Sequence, residues 1–152
     1  QSFDKGELSQ ARDLFHNCIQ RDPLHSEAWY GLARTEGMIK GGPRATYRIL
    51  RRALRYNRSN PKLYQSLGRL ASRLGNAELA TEYFQRGLRI YGLKDNDKAS
   101  LLASWGVTEG SINKEGARRR FQEAIRVDPL CMRAYAGWAR IEARCGDFQK
   151  SK

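Results

Sequence analysis

Apolar residues recur along this chain at intervals of three and four, which is the period of a helix and not the alternation of a strand. Two segment types carry the pattern, and they take turns. The first is clearest in SEAWYGLARTE (26–36) and MRAYAGWARIE (132–142). Each has an aromatic residue, a large apolar residue three later, a small residue next, and Glu three beyond that. The two versions are Trp29, Leu32, Ala33, Glu36 and Tyr135, Trp138, Ala139, Glu142. Tyr64, Leu67 and Gly68 repeat it with Ala71 where Glu is expected, and Leu102, Trp105, Gly106 and Glu109 repeat it after a longer connection. The second type places Ala four residues before Phe and follows them with a small residue and an aliphatic one. Its pairs are Ala11 with Phe15, Ala80 with Phe84 and Ala117 with Phe121, followed by Cys18-Ile19, Gly87-Leu88 and Ala124-Ile125. Ala53-Leu54 stands in the same place, so spacings of 35, 34 and 37 residues separate the four small–aliphatic pairs.

Such alternation predicts helices at about 6–21, 26–39, 43–57, 61–74, 76–91, 98–110, 114–127 and 131–145, with an incomplete ninth beginning near Asp147. Pro23, Pro61 and Pro129 lie just past second-type helices, where proline can neither continue a helix nor supply its hydrogen bond. Gly75-Asn76 and Gly146-Asp147 are expected at tight turns between paired helices. Ala33, Gly68, Gly106 and Ala139 are expected to let helix backbones approach closely, while Phe15, Trp29, Phe84, Phe121 and Trp138 fill the space between layers. The fold class is therefore all-α, a solenoid of antiparallel helix pairs. It divides into a half repeat at 4–25, full repeats at 26–60, 61–97 and 98–131, and a partial repeat at 132–152. The chain opens inside one repeat and stops inside another without an initiating Met, which points to a segment of a longer solenoid with further repeats beside it.

Charge changes the picture next. The 152 residues hold 28 Lys and Arg against 16 Asp and Glu, a formal charge of +12. Between Glu36 and Glu78 there is no acidic residue but ten basic ones, leaving 18 basic and 16 acidic residues elsewhere. The excess is thus local, and an anionic partner is implied. No apolar run approaches the roughly 18 residues needed to cross a bilayer, so no membrane insertion is expected and a soluble chain is implied. Cys18, Cys131 and Cys145 are odd in number and lack C-x-x-C spacing, which favours free, packed thiols in a reducing, intracellular compartment over disulfides or zinc.

Catalytic chemistry finds little footing. His16 and His25 are the only histidines and have no metal-ligand spacing. Gly41-Gly42-Pro43-Arg44 lacks the order of a phosphate loop and reads as a turn between helices. No enzyme, cofactor or metal is expected.

The repeat resembles the tetratricopeptide repeat, whose helical pair spans 34 residues with an aromatic-x-x-Leu-Gly start, an Ala-x-x-x-Phe middle and a closing Pro. The Trp-x-x-Leu-Ala-x-x-Glu form at 29–36, with its echoes at 102–109 and 135–142, resembles the half-a-tetratricopeptide (HAT) variant. The likeness covers essentially the whole chain, and it implies a right-handed superhelix whose first helices line a concave face. On that face the offsets from the anchors Trp29, Tyr64, Leu102 and Tyr135 select Arg34, Lys62, Arg69, Arg73, Arg133, Arg140 and Arg144, against one acidic residue, Glu27. Arginine recurring at one offset makes a ladder with rungs roughly 10 Å apart. A single-stranded RNA backbone could follow it, with Tyr30 as a stacking platform. A second basic surface is the stripe Arg44, Arg48, Arg51, Arg52 and Arg55, which spans an arc of about 100° at 3.6 residues per turn. It is expected on the convex side, and Arg118–Arg120 add a shorter cluster with Arg119 or Arg120 partly screened by Glu115 and Glu123.

LLASWGVTEGSINKEGARRRFQEAIRVDPLCMRAYAGWARIEARCGD resembles the HAT arrays of chloroplast RNA-maturation factors. That likeness implies single-stranded RNA as partner, shielding of message ends as mechanism, and the chloroplast stroma as location, with the nucleus otherwise. The other reading is a protein-interaction scaffold that receives acidic peptides or assembles a ribonucleoprotein complex, as HAT proteins of nuclear pre-mRNA processing do.

Overall fold

A computed structural model describes the backbone of residues 4–150 and the side chains of residues 4–146. The described residues form eight helices: α1 Lys5–Arg21, α2 Ser26–Lys40, α3 Pro43–Ala53, α4 Pro61–Arg73, α5 Ala77–Leu88, α6 Asp95–Glu109, α7 Lys114–Val127 and α8 Met132–Lys150. No strand occurs among the described residues. Local chemistry places the ends. Asp4, His25, Asn60, Asn76 and Asn113 cap five helices by accepting a first-turn backbone N–H with the side chain. Pro43 and Pro61 open α3 and α4, where the missing N–H costs nothing. Gly41 ends α2 at φ 73° and Gly75 turns the chain into α5 at φ 85°, conformations that a Cβ would strain.

Helices α2/α3, α4/α5 and α6/α7 are antiparallel pairs; α1 packs on α2, and α8 packs on α6 and α7. Helix α4 packs on α6 and α6 on α8, whereas the backbones of α3, α5 and α7 stay apart, α3 and α5 touching through Tyr47 and Tyr83, and each packs on the next first-type helix. From α4 onward the first-type helices form the closer, inner layer. Two apolar clusters result, one around Trp29, Leu50, Tyr64, Leu67 and Phe84, the other around Leu102, Phe121, Ala124 and Ile141. Helix α6 feeds both, which explains why every residue from Leu101 to Gly106 is buried.

The recurring Phe has a definite partner. Phe15 packs over Gly31, Phe84 over Gly68, and Phe121 over both Gly106 and Gly137. A Cβ at Gly68 would lie 2.6 Å from Phe84 Cζ, and one at Gly106 would lie 2.7 Å from Phe121 Cε1. In α8 this close approach belongs to Gly137, and Ala139 is exposed, contrary to the sequence alignment. Tyr135, taken as an anchor, is 43% exposed, because no following helix pair covers that side of α8 among the described residues. Gly146-Asp147 is not a turn and no ninth helix begins there: α8 runs through to Lys150, and Gly146 has no positive φ to reverse the chain. Three helices also shift at an end, α5 closing at Leu88 and not at 91. α3 gives way to turns after Ala53, and α6 begins at Asp95, with Asp95 and Asp97 facing the positive end of its dipole.

The recurring Glu is structural. Glu36, buried, lies 3.7 Å from both Arg12 and Lys40; Glu109 lies 3.3 Å from Arg120; and Glu142 pairs with Arg118. In each case an arginine of the adjoining second-type helix meets a carboxylate of the first-type helix. Screening in the Arg118–Arg120 cluster therefore falls on Arg118, held by Glu115 and Glu142, and on Arg120, held by Glu109 and seated 3.4 Å over the Trp105 ring. Glu123 pairs with Arg126 and not with the cluster.

Candidate binding surfaces

The inner layer opens into two clefts. Helices α2 and α4 stand apart, and between them lies a space of about 640 Å³. Arg34 of α2 and Arg69 and Arg73 of α4 rim it, and Ala33, Gly37, Thr46, Leu50 and Leu70 are among its lining. A second space of about 500 Å³ lies between α4, α6 and α8, lined by Arg69 and Arg73 again, with Arg133, Arg140, Ser104, Val107 and Gly137. Shared arginines join the two into one groove. Five of the seven arginines and lysines selected by offset thus line it, all five exposed. Lys62 and Arg144 are exposed but line neither cleft. Among the described residues, no carboxylate lines either cleft.

The first cleft has a cause in the sequence. Where α5 and α7 carry Ala80-Phe84 and Ala117-Phe121, α3 carries Thr46 and Leu50. Phe121 bridges α6 and α8, and Phe84 packs on α4 and stacks on Trp105 of α6 at 6.1 Å. Leu50, without a ring, leaves α2 and α4 unbridged. This missing aromatic was visible in the repeat alignment but was not read as a cavity.

Polar detail sets the groove side chains. The Ser104 hydroxyl, buried, accepts from Gln65 Nε2 at 2.7 Å and from Arg133 Nη1 at 3.1 Å, which holds that guanidinium against the wall. Tyr30 is not the open platform expected of it. Its hydroxyl is buried without a hydrogen bond, and burial pushes its phenol up to about 12, the Asn60 side chain pulling slightly the other way. The Asn60 amide is itself engaged with Ser26 Oγ and the Lys62 N–H.

On the outer side a third cleft, about 900 Å³, runs between α3 and α5. Arg48, Arg51, Arg52 and Arg55 of the predicted stripe line it, joined by Arg58 and Arg86, over Tyr47, Leu54, Leu79 and Tyr83. Arg44 is not part of it and flanks a smaller recess with Lys40 and Arg48. Arg86 was missed, yet the repeat marks it: Arg52 precedes Ala53-Leu54 as Arg86 precedes Gly87-Leu88. Each guanidinium lies over an anchor ring, Arg52 at 5.8 Å from Trp29 and Arg86 at 5.4 Å from Tyr64. Among the described residues, no arginine of the groove or the outer cleft is in an ion pair; the pairs all lie elsewhere.

Other candidate chemistry stays local. His25 caps α2 through Nδ1, 3.2 Å from the Ala28 N–H. Only Cys131 is buried, and Cys18 and Cys145 are half-buried, so packing accounts for one of the three thiols in full. No cluster of His, Cys, Asp or Glu able to hold a metal occurs among the described residues, and none of their helices is long and apolar enough to cross a membrane.

Comparison with known proteins places the fold. Residues 3–36 match the tetratricopeptide repeat family model. The structure is similar to the crystal structure of MamA, with a TM-score of 0.66 and 19% identity over 96% of this chain and 87% of that one. It is similar also to YrrB, described as a TPR protein with an unusual peptide-binding site, at a TM-score of 0.61 and 21% identity over 93% and 71% of the two chains. A third match is to the APC/C hetero-tetramer Cut9–Hcn1, with a TM-score of 0.68 and 22% identity over 95% of this chain and 28% of that one. No curated protein matches the chain by sequence. The fold is thus the tetratricopeptide-type solenoid; nothing in these matches carries the HAT subtype or the plastid RNA role that the sequence resemblance implied.

Proposed function

We propose that this tetratricopeptide-type solenoid is a non-catalytic scaffold whose inner groove receives an extended, acidic segment of a partner protein. One observation carries the reading: two adjoining clefts share Arg69 and Arg73, gather five exposed arginines, and contain no carboxylate among the described residues. Such a channel attracts an anionic chain and orients it. Its walls suit a peptide. Ser66 and Ser72 put small side chains on the walls, and Leu50, Leu70 and Val107 offer seats for apolar side chains. At 3.3–3.6 Å per residue, about nine extended residues span three rungs of roughly 10 Å. The structural neighbour YrrB is described as having a peptide-binding site, which supports this use of the fold.

The RNA reading rests on the same arginines, but base recognition on single strands uses open aromatic faces. Among the described residues, the only aromatic lining either inner cleft is Tyr30, with its hydroxyl buried. The peptide reading is accordingly favoured. Fluorescence anisotropy with an acidic nonapeptide containing one or two leucines tests it. Replacing Arg34, Arg69 and Arg140 with Gln should weaken binding about tenfold or more, whereas replacing Arg48, Arg51 and Arg55 should leave it unchanged. If the groove variant binds the peptide as tightly as the parent, the groove is not the site.

A further inference from the structure

The outer cleft has no role in that scheme, and its composition is unusual. Six arginines, Arg48, Arg51, Arg52, Arg55, Arg58 and Arg86, surround one recess of about 900 Å³ with no carboxylate in its lining among the described residues. Arg52 and Arg86 are braced by the Trp29 and Tyr64 rings. The others have no ion-pair partner among the described residues. Like charges held this closely repel one another in the free protein, and a bound anion relieves that repulsion.

The floor adds a second feature. Tyr47 Oη and Tyr83 Oη are 2.9 Å apart, so one hydroxyl donates to the other. Two phenols carry two protons and this contact uses one. The second has no acceptor among the described residues, leaving an O–H donor beneath the arginines. Burial, and then the Tyr47 hydrogen bond, push the Tyr83 phenol up, so that phenol stays protonated at neutral pH. A recess of guanidiniums over a hydroxyl donor is built for an acceptor-only, highly charged ligand.

Charge density and shape select among anions. An extended acidic peptide advances 3.3–3.6 Å per residue with alternate side chains on opposite faces, so it presents about one single charge per 7 Å to a surface. A nucleic acid brings one charge per phosphate plus bases that need stacking faces. Here the two rings meet edge to face, with centroids 6.3 Å apart at 72°, and Tyr83 is 4% exposed. Phosphate monoesters bring about −1.5 to −2 charges each, with three acceptor oxygens. We propose that the outer cleft binds a compact, soluble anion bearing several phosphate monoesters, held by Arg48, Arg51, Arg55 and Arg86 above the Tyr47–Tyr83 pair.

Isothermal titration calorimetry with inositol hexakisphosphate tests this, alongside thermal melting. Saturable one-to-one binding is expected, with a rise in melting temperature that inorganic phosphate at equal total charge does not reproduce. Replacing Arg48, Arg51 and Arg55 with Gln should weaken binding at least tenfold. The unliganded variant should melt no lower than the parent, since it loses repulsion and no ion pair. If that triple variant does not fold, Arg55→Gln alone, in the turn after α3, should weaken binding several-fold. The Arg34, Arg69 and Arg140 variant should bind hexakisphosphate as the parent does, which separates this site from the peptide groove. Absence of one-to-one binding, or equal binding by the Arg48, Arg51 and Arg55 variant, would overturn the proposal. So would equally tight binding of poly-glutamate or a single-stranded oligonucleotide at matched charge, lost in that variant, since this would mean a macromolecular site.

Discussion

Replacing Gly68 with Ala separates two effects that oppose each other. In a helix interior the change should help, because glycine costs roughly 0.5–1 kcal/mol relative to alanine. At Gly68 the new Cβ would sit 2.6 Å from Phe84 Cζ and 2.8 Å from both Cε atoms. The ring cannot readily retreat, being fully buried and stacked on Trp105 at an interplanar angle of 12°. Overpacking of this kind costs about 1–3 kcal/mol, so the net effect is a loss of about 1–2 kcal/mol. In a chain of this size each kcal/mol moves the melting temperature by about 2–4 °C, giving a fall of roughly 2–8 °C. Gly146 provides the control: it also lies within a helix, but its added Cβ would meet nothing within 4 Å. Gly146→Ala should therefore be neutral or stabilising by up to about 1 kcal/mol. Circular dichroism melts of both variants check the sign, and hydrogen exchange should place the Gly68→Ala loss in α4 and α5. A Gly68→Ala variant as stable as Gly146→Ala would refute the glycine–ring packing as the basis of the repeat.

Three further perturbations follow from the same structure. Leu50→Phe restores the ring that the other repeats carry and should fill the α2–α4 cleft, lowering acidic-peptide affinity severalfold in a titration while leaving the fold intact. Asn76→Ala removes the side chain that accepts the Leu79 N–H at 3.1 Å, and should cost about 1 kcal/mol in a denaturant melt. Arg118 beside Glu142 holds that carboxyl below its usual range, a folded-state depression. The stabilisation is therefore present above the ordinary glutamate pKa and lost as pH falls through the lowered one. Carbon-detected NMR should show Glu142 titrating at lower pH than in Arg118→Gln.

The repeat was legible because each helix pair restates the same packing problem, so Ala–Phe spacing and the aromatic–Leu–small pattern report the same contacts several times over. Features that depend on a departure from the repeat were less legible. Leu50 stands where the other repeats carry Phe, and only the structure shows that Phe121 spans two first-type helices and Leu50 does not. The α8 boundary failed because Gly-Asp signals a turn only where a following helix folds back, and α8 continues instead. Arg34, Arg69, Arg133 and Arg140 were placed in the groove by offset, since side-chain direction in a helix follows register. Whether a given arginine is spent in an ion pair depends on tertiary neighbours. The sequence therefore could not tell Arg118, held by Glu142, from Arg51, which meets no acid.

Direct competition at physiological ionic strength tests the central claim. An acidic, leucine-containing nonapeptide and a single-stranded RNA of equal charge would be titrated against the same labelled protein, each then used to displace the other. The groove account predicts that the peptide binds more tightly, that the RNA fails to displace it, and that its affinity drops when Arg69 and Arg73 become Gln. Tighter binding of the RNA, lost in that same variant, would contradict the account and make the arginine ladder a nucleic-acid path.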